Sequence, residues 1–466
     1  MNLARHSISA TDPVLIFDTR FDPDCRIFTT CTQAGFAVYS TCPLKLLRRR
    51  EISGGTLSIV VPLHTSSLLF LVGGGRSPRY PPNKVVFWDD ALAREVAELE
   101  FRERVRGIAC RRGWLAVAMR RRVVVFRLDQ SIERYGEWDT HDNPRGILSL
   151  ATGAYSTLLA IPGRQIGHVQ LVHLPQCPPP QPLGPPGSRS ISPPPAPTKH
   201  PVSIIAAHTT ALSTLSVPPS GRYLATSSSR GTLIRIWDTA SGKLVRELRR
   251  GSDKAEIYGV AFRPDEREVC VWSDKGTVHV FSLSGGSGGN RQSTFSPFTS
   301  FLPLPKYFES EWSYAQYHIP AQSAHISMTA GPSKPSTADV VDEEKCVVGW
   351  IRAPSDEAID PSRPSPQEYQ LIALTFTGGW YRLALPASSN SVVSSGPASP
   401  ILGPVSRSPP SVRALSLPRP RSTSGSSVAG KTDKGKGRER DNKENKETRE
   451  CALREFRRYG RWDGWG

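Results

Sequence analysis

The sequence predicts an all-β chain closed as a seven-bladed β-propeller of the WD40 type, and three observations predict it. Short strand-like runs recur in one order: strand, small-residue turn, strand ending in Trp-Asp or an equivalent, charged outer strand. One such unit is complete, with runs at Leu212 to Val217, Tyr223 to Ser227, Thr232 to Trp237 followed by Asp238, and Lys243 to Leu248. The same cadence appears elsewhere along the chain, and repetition at this period marks a propeller, in which each blade is one four-stranded sheet.

In chain order the other units run from Val14 to Arg49, from Leu57 to Glu100 with Trp88-Asp89, and from Gly107 to Trp138. A fourth spans Ile147 to Leu174 and resumes at Val202 to Ala207, and a sixth runs from Ile257 to His318. The last unit needs Cys346 to Ile351, Leu371 to Phe376, Trp380 to Leu385 and the terminal Leu453 to Tyr459. A single propeller over residues 13–385 and 451–460 follows. Should Leu453 to Tyr459 not be the final outer strand, the ring must end by Leu385.

Residues 175–201 are dense in proline and serine, and residues 386–450 join a Pro/Ser tract to a charged run. Neither composition supports a regular ladder, so both read as disordered insertions within blades. Lys431 to Glu450 holds eight basic and six acidic residues, a net of +2, which describes a solvated mixed-charge segment better than a polybasic signal. A third insertion, 285–311, is apolar, carrying Phe295, Phe298, Phe301, Leu302 and Leu304 among prolines with little charge before Lys306. Either it folds back on the propeller or its tip enters a bilayer interface.

Across the chain Lys plus Arg is 59 against Asp plus Glu at 42, a net of +17, which favours an anionic partner: nucleic acid or an acidic membrane surface. The eight cysteines form no Cys-x-x-Cys pair and have no histidines at zinc-ligand spacing, so they read as reduced, mostly buried thiols of a cytosolic protein. The N-terminus has no apolar core of a secretory signal and the longest apolar runs fall short of a membrane span, so any membrane contact is peripheral. Gly73-Gly74-Gly75 lacks the Gly-Lys-Ser/Thr of a phosphate loop and reads as a close-packed strand end. Arg120-Arg121-Arg122 lies between two strands and reads as a blade-edge cap, not a nucleic-acid groove, which would interleave basic and aromatic residues. No nucleophile with an ordered base, carboxylate pair or metal pair stands in a supporting context, so neither an enzyme nor a cofactor is expected.

Leu248-Arg249-Arg250-Gly251 places two guanidiniums side by side at a strand end. Neighbouring strand residues point to opposite sides, so the pair can serve two pockets, and a guanidinium suits a phosphate through paired hydrogen bonds. Exposed arginines that protect an outer strand from edge-to-edge pairing are the alternative.

Residues 202–320 resemble the PROPPIN family, phosphoinositide-binding seven-bladed propellers of autophagy and endolysosomal membranes. The resemblance rests on Ala207-His208, on the run from Ala225 to Arg235, on Leu248-Arg249-Arg250-Gly251 for the family's Phe/Leu-Arg-Arg-Gly, on Ser273 to His279, and on Glu311-Trp312-Ser313. Leucine at 248 is similar to the branch containing the yeast swollen-vacuole homologue. The resemblance implies one lipid pocket of Arg249 with His208, Ser228, Arg230 and Thr232, and a second of Arg250, Ser252, Ser273, Lys275, Thr277 and His279. It implies binding of phosphatidylinositol 3-phosphate and phosphatidylinositol 3,5-bisphosphate, with Phe295, Phe298, Phe301, Leu302 and Leu304 inserting into the membrane. It further implies a monomer recruiting autophagy proteins such as a lipid-transfer protein at preautophagosomal, endosomal and vacuolar membranes. Trp272, where small residues are usual, departs from the pattern, and the Ser227 to Ser229 run leaves a one-residue slip open. A protein-binding scaffold with structural arginines is the other class.

Overall fold

A computed structural model describes residues 16–153, 156, 158–175, 202–284, 290–291, 310–320, 345–354, 367–386 and 449–460. Seven sheets, each built on four antiparallel strands, succeed one another along the chain as blades. Blade 1 is β1 (Ile16–Phe21), β2 (Ile27–Thr32), β3 (Gly35–Ser40) and β4 (Lys45–Glu51). Blade 2 is β5 (Leu57–Pro62), β6 (Leu68–Gly73), β7 (Lys84–Asp89) and β8 (Arg94–Glu100). Blade 3 is β9 (Gly107–Arg111), β10 (Trp114–Ala118), β11 (Arg122–Leu128) and β12 (Ile132–Asp139). Blade 4 is β13 (Ser149–Leu150), β14 (Leu158–Pro162), β15 (His168–His173) and β16 (Ile204–Ala206). Blade 5 is β17 (Leu212–Ser216), β18 (Tyr223–Ser228), β19 (Leu233–Asp238) and β20 (Leu244–Arg249). Blade 6 is β21 (Ile257–Phe262), β22 (Glu268–Ser273), β23 (Thr277–Ser282) and β25 (Ala315–His318), with β24 (Glu311–Trp312) just before its last strand. Blade 7 is β26 (Cys346–Pro354), β27 (Gln367–Thr375), β28 (Gly379–Ala384) and β30 (Ala452–Arg458), preceded by β29 (Arg449–Glu450).

The inner strands are apolar on both faces because each face meets another blade. All five residues of β10 are buried. In β22 the period of two divides the side chains, so that Val269 and Val271 join blade 5 while Cys270 and Trp272 join blade 7. Each described core cluster bridges two successive blades, and one joins blade 7 to blade 1, which closes the ring. Trp272 faces the core between blades 6 and 7, and Gly259 gives it room: a Cβ there would lie 2.1 Å from the indole. Gly73 likewise marks close packing, since a Cβ would fall 1.8 Å from the Tyr80 carbonyl oxygen. Within the Arg120 to Arg122 cluster, Arg120 pairs with Asp142 at 2.7 Å and Arg122 with Glu137 at 2.6 Å.

Outer strands are polar and bent. A register shift recurs between third and outer strands of blades 1, 2, 3, 5 and 7, the mark of a bulge that strengthens the twist. The chain segments entering and leaving 176–201, 285–309 and 387–448 all connect the third strand of a blade to its outer strand.

Two blades differ from the four-strand expectation. β24 pairs in parallel with β20, and β29 pairs in parallel with β25, so blades 5 and 6 each carry a fifth strand. A two-residue segment gives no periodicity, and its pairing with the preceding blade is a long-range contact. The last blade also has longer inner strands than its apolar runs suggest, because β26 and β27 pair from Cys346↔Thr375 out to Pro354↔Gln367.

The closure that the sequence left open is made by β30, which pairs with β28 from Gly379↔Arg458 to Ala384↔Ala452. Tyr459 then locks the two ends of the chain together. Its hydroxyl donates to the Thr375 carbonyl at 2.7 Å, and its ring meets Phe28 at 5.2 Å and Tyr39 at 5.8 Å. Tyr459→Ala should therefore destabilise the protein by about 3 kcal/mol, the cost of deleting a buried aromatic. A urea unfolding midpoint unchanged from wild type would show that blade 7 closes without this contact.

Candidate anion site on the rim of blades 5 and 6

β20 ends at Arg249, and Arg250 leaves the strand with its backbone N–H donating to the Thr232 carbonyl at 3.0 Å. Both arginines are almost fully buried, at 7% and 9% exposure. They diverge. Arg249 turns toward β24: its Nε donates to Ser310 Oγ at 3.1 Å, and its guanidinium lies 6.0 Å from the Trp312 ring centroid. Arg250 turns toward blade 6, with Nε donating to the Gly231 carbonyl at 3.0 Å and a terminal nitrogen donating to the Asp253 carbonyl. Among the described residues Arg250 forms no ion pair.

That arrangement depends on one glycine. Gly231 has φ +63°, and a Cβ on it would sit 1.7 Å from the Ala255 carbonyl oxygen. Only glycine lets the 229–232 turn pack against the 251–256 loop, which together supply the carbonyls that aim Arg250.

On the Arg249 side, His208 Nε2 is 2.9 Å from Thr226 Oγ1, which also accepts from Trp237 Nε1 at 3.0 Å. By strand alternation Ser228 shares the Thr226 face of β18 and is buried, whereas the Ser227 hydroxyl bonds Ser213 at 2.7 Å on the other face. Arg230 is exposed and Thr232 half-buried at the mouth. On the Arg250 side, His279 Nδ1 is 3.2 Å from Ser313 Oγ and buried. Thr277 Oγ1 is 3.3 Å from His318 Nδ1. Lys275 is exposed with Nζ 3.7 Å from Asp274, and Ser252 is exposed, bonding Asp253 at 3.3 Å. Ser273 is fully buried and holds the β22–β23 turn by accepting from the Lys275 N–H at 3.4 Å.

The structure thus gathers the residues singled out from sequence at one end of blades 5 and 6. It adds Thr226, Ser310, Trp312, Ser313 and His318. The signal for two of these, Trp312 and Ser313, was the Glu311-Trp312-Ser313 tripeptide; its parallel pairing with β20 is what puts it against Arg249. The five apolar residues Phe295, Phe298, Phe301, Leu302 and Leu304 lie outside the described residues.

Both histidines are neutral at physiological pH. Burial pushes the His208 imidazole down to about 4, helped by the Arg235 charge, and burial with the Arg250 charge does the same to His279, also to about 4. Burial likewise lowers the Arg250 pKa, opposed by Asp274 and Asp253. A neutral imidazole can donate one hydrogen bond and accept another, which suits a site of hydroxyls and phosphate oxygens. No group of side chains fit to hold a metal ion occurs among the described residues.

A seven-bladed ring with buried, diverging arginines at one rim defines a binding propeller. A profile of the PROPPIN family matches residues 196–319. The chain is 33% identical over 317 residues to SVP1-like protein 2 of Pichia angusta, covering 67% of this chain and 83% of that one. It is 31% identical over 322 residues to autophagy-related protein 18e of Arabidopsis thaliana, covering 68% and 79%. Among solved structures, the complex of KlAtg21 with the coiled-coil of AgAtg16 shares the fold, with a TM-score of 0.55 and 16% identity over 80% of this chain and 95% of that one. The chain belongs to the PROPPIN family, the autophagy-related phosphoinositide-binding propellers, a family of binding and scaffold proteins.

The histidines give a stability signature. In the unfolded chain they take up protons near pH 6.5, whereas in the fold they do so only near pH 4, so protonation favours unfolding between these values. Their contribution is complete above pH 6.5 and is lost as pH falls toward 4, by about 1.4 kcal/mol per unit of displacement for a fully desolvated ring. His208→Gln and His279→Gln should each flatten the fall of melting temperature between pH 7 and pH 4.5; parallel curves would mean that neither imidazole is held neutral.

Proposed function

We propose that this protein attaches to membranes by holding phosphatidylinositol 3-phosphate and phosphatidylinositol 3,5-bisphosphate in two rim pockets that share the Leu248-Arg249-Arg250-Gly251 turn. The observation that carries the reading is the Arg250 guanidinium: buried, aimed by backbone carbonyls of Gly231 and Asp253, and, among the described residues, in no ion pair with a carboxylate. Carbonyls orient a guanidinium while leaving its charge for an incoming phosphate. Arg249, with His208, Ser228, Arg230 and Thr232, serves one headgroup; Arg250, with Ser252, Ser273, Lys275, Thr277 and His279, serves the other. The buried Ser228 and Ser273 hold their turns in shape, and the exposed Arg230 and Lys275 reach the outer phosphates.

A charge-assisted hydrogen bond contributes about 1.5 to 3 kcal/mol, so one pocket alone binds weakly. Two pockets on one rigid rim make the second capture intramolecular, and insertion of Phe295, Phe298, Phe301, Leu302 and Leu304 adds apolar contact. On the membrane the propeller acts as a monomeric recruiting platform in autophagy and in vacuolar and endosomal traffic. KlAtg21, solved with a coiled coil of AgAtg16, supports a protein partner of that kind, beside a lipid-transfer protein. No helix among the described residues is long and apolar enough to cross a membrane.

Liposome flotation tests the reading. Wild type should float with vesicles containing phosphatidylinositol 3-phosphate and not with phosphatidylserine vesicles, and Arg249→Thr/Arg250→Thr, folded by circular dichroism, should stay in the soluble fraction. Either single variant should retain binding weakened by about tenfold. Equal flotation of wild type and double variant would make the arginines edge residues and the protein a scaffold without lipid specificity.

A further inference from the structure

The outer edges of blades 5 and 6 show what this rim accepts. β24 lies along β20 with Leu248↔Glu311 and Arg249↔Trp312 in parallel register, and β29 lies along β25 with Ala315↔Arg449 and Gln316↔Glu450. In the first of these the added strand carries a carboxylate onto the edge, Glu311 meeting Arg246 at 2.6 Å, and an aromatic ring beside Arg249. Each added strand immediately precedes the outer strand of the next blade.

The series stops at blade 7. The segment that would supply its added strand is Thr41–Leu44, and this is a tight turn joining β3 to β4. Among the described residues nothing pairs outside β30, whose backbone edge is therefore open. The bulge between Arg382 and Leu383 puts Leu453 opposite Leu383 and Phe456 opposite Tyr381, so both apolar side chains share one face although three positions apart. They are 46% and 43% exposed. Arg454 and Arg458 are exposed and form no ion pair among the described residues, whereas Arg457 is matched by Glu455 at 2.5 Å.

Charge around the rim says what would sit there. β4 of the adjoining blade 1 reads Lys-Leu-Leu-Arg-Arg-Arg-Glu, and β30 reads Ala-Leu-Arg-Glu-Phe-Arg-Arg, so bases outnumber acids in both. On blades 2 and 3 the balance reverses: β8 reads Arg-Glu-Val-Ala-Glu-Leu-Glu, and β12 reads Ile-Glu-Arg-Tyr-Gly-Glu-Trp-Asp. The basic sector of the rim therefore includes the open outer edge of β30 and its exposed apolar shelf.

We propose that β30 receives an extended acidic segment of a partner protein, added in parallel as a further strand of blade 7. Backbone pairing along the edge gives attachment, an apolar or aromatic side chain of the partner rests on Leu453 and Phe456, and its carboxylates meet Arg454 and Arg458. This surface stands apart from the two arginine pockets and can be occupied while they are.

The probe is a short fluorescein-labelled peptide alternating glutamate with tryptophan and valine, titrated with the full chain by fluorescence anisotropy. Binding is expected to weaken at least about tenfold in Arg454→Glu/Arg458→Glu and to vanish when alternate peptide amides are N-methylated, which removes strand pairing without altering the protein. Flotation on phosphatidylinositol 3-phosphate vesicles should be unchanged in the same variant. Absence of binding, or binding that survives N-methylation, overturns the proposal. So does loss of affinity for inositide-free phosphatidylserine vesicles in the variant without any peptide binding, which would assign the sector to a membrane surface. Concentration-dependent dimerisation abolished by the variant would overturn it too, by assigning the edge to a second copy of the chain.

Discussion

Burial of every inner strand on both faces is the constraint on which the rest of the structure depends. In a ring of radial sheets each blade presents its two faces to two neighbours, so a strand such as β10, Trp-Leu-Ala-Val-Ala, has no solvent side. The apolar side chains of one strand then feed two cores at once, as Val271 and Trp272 do. Because the clusters between blades form a closed series, with Tyr459 bridging back to Phe28 and Tyr39, the ring has no open face to cover. All variation is displaced to the loops and the rim.

The rim is where polar chemistry is tolerated, and blades 5 and 6 use it in an unusual way. Two adjacent guanidiniums are nearly removed from water, a cost met by carbonyl and hydroxyl acceptors: Gly231 and Asp253 for Arg250, Ser310 for Arg249. The carbonyl acceptors of Arg250 leave its positive charge unspent. The neighbouring imidazoles respond to the same burial and the same charge by staying neutral. Desolvation that would be wasteful in a purely structural pair becomes preorganisation in a site for an anion, since the guanidiniums need not be stripped of water when the ligand arrives.

Strand addition is the second theme of the rim. The outer strand of each blade presents its unpaired edge at the rim, and this chain fills two such edges with its own residues. β24 does more than protect blade 5: the segment that contains it places Ser310 and Trp312 against Arg249 and Ser313 against His279. Edge protection and site construction are here the same contact. Blade 7 takes no such segment among the described residues, and its outer strand is basic.

Much of this was legible in the sequence. The spacing of strand-like runs gave seven units, because the two-residue period and the turn chemistry are local properties that a linear reading can see. Adjacent arginines on a strand pointed to two sides for the same reason, and the structure has Arg249 and Arg250 diverging. What the linear reading could not reach were contacts between residues far apart. The pairing of Trp312 with Arg249, the fifth strands of blades 5 and 6 and the inward turn of Trp272 onto Gly259 each depend on which distant segments meet, and so does the choice between Leu453 to Tyr459 and an earlier end for the ring. The sequence by itself determined the repeat and the fold class, which are written in periodicity, and the charged turn, which is written in two adjacent arginines at a strand end. Only the tertiary structure decided how the ring closes and which hydroxyls surround the arginines, because loop ends without periodicity acquire their partners only when the blades are packed.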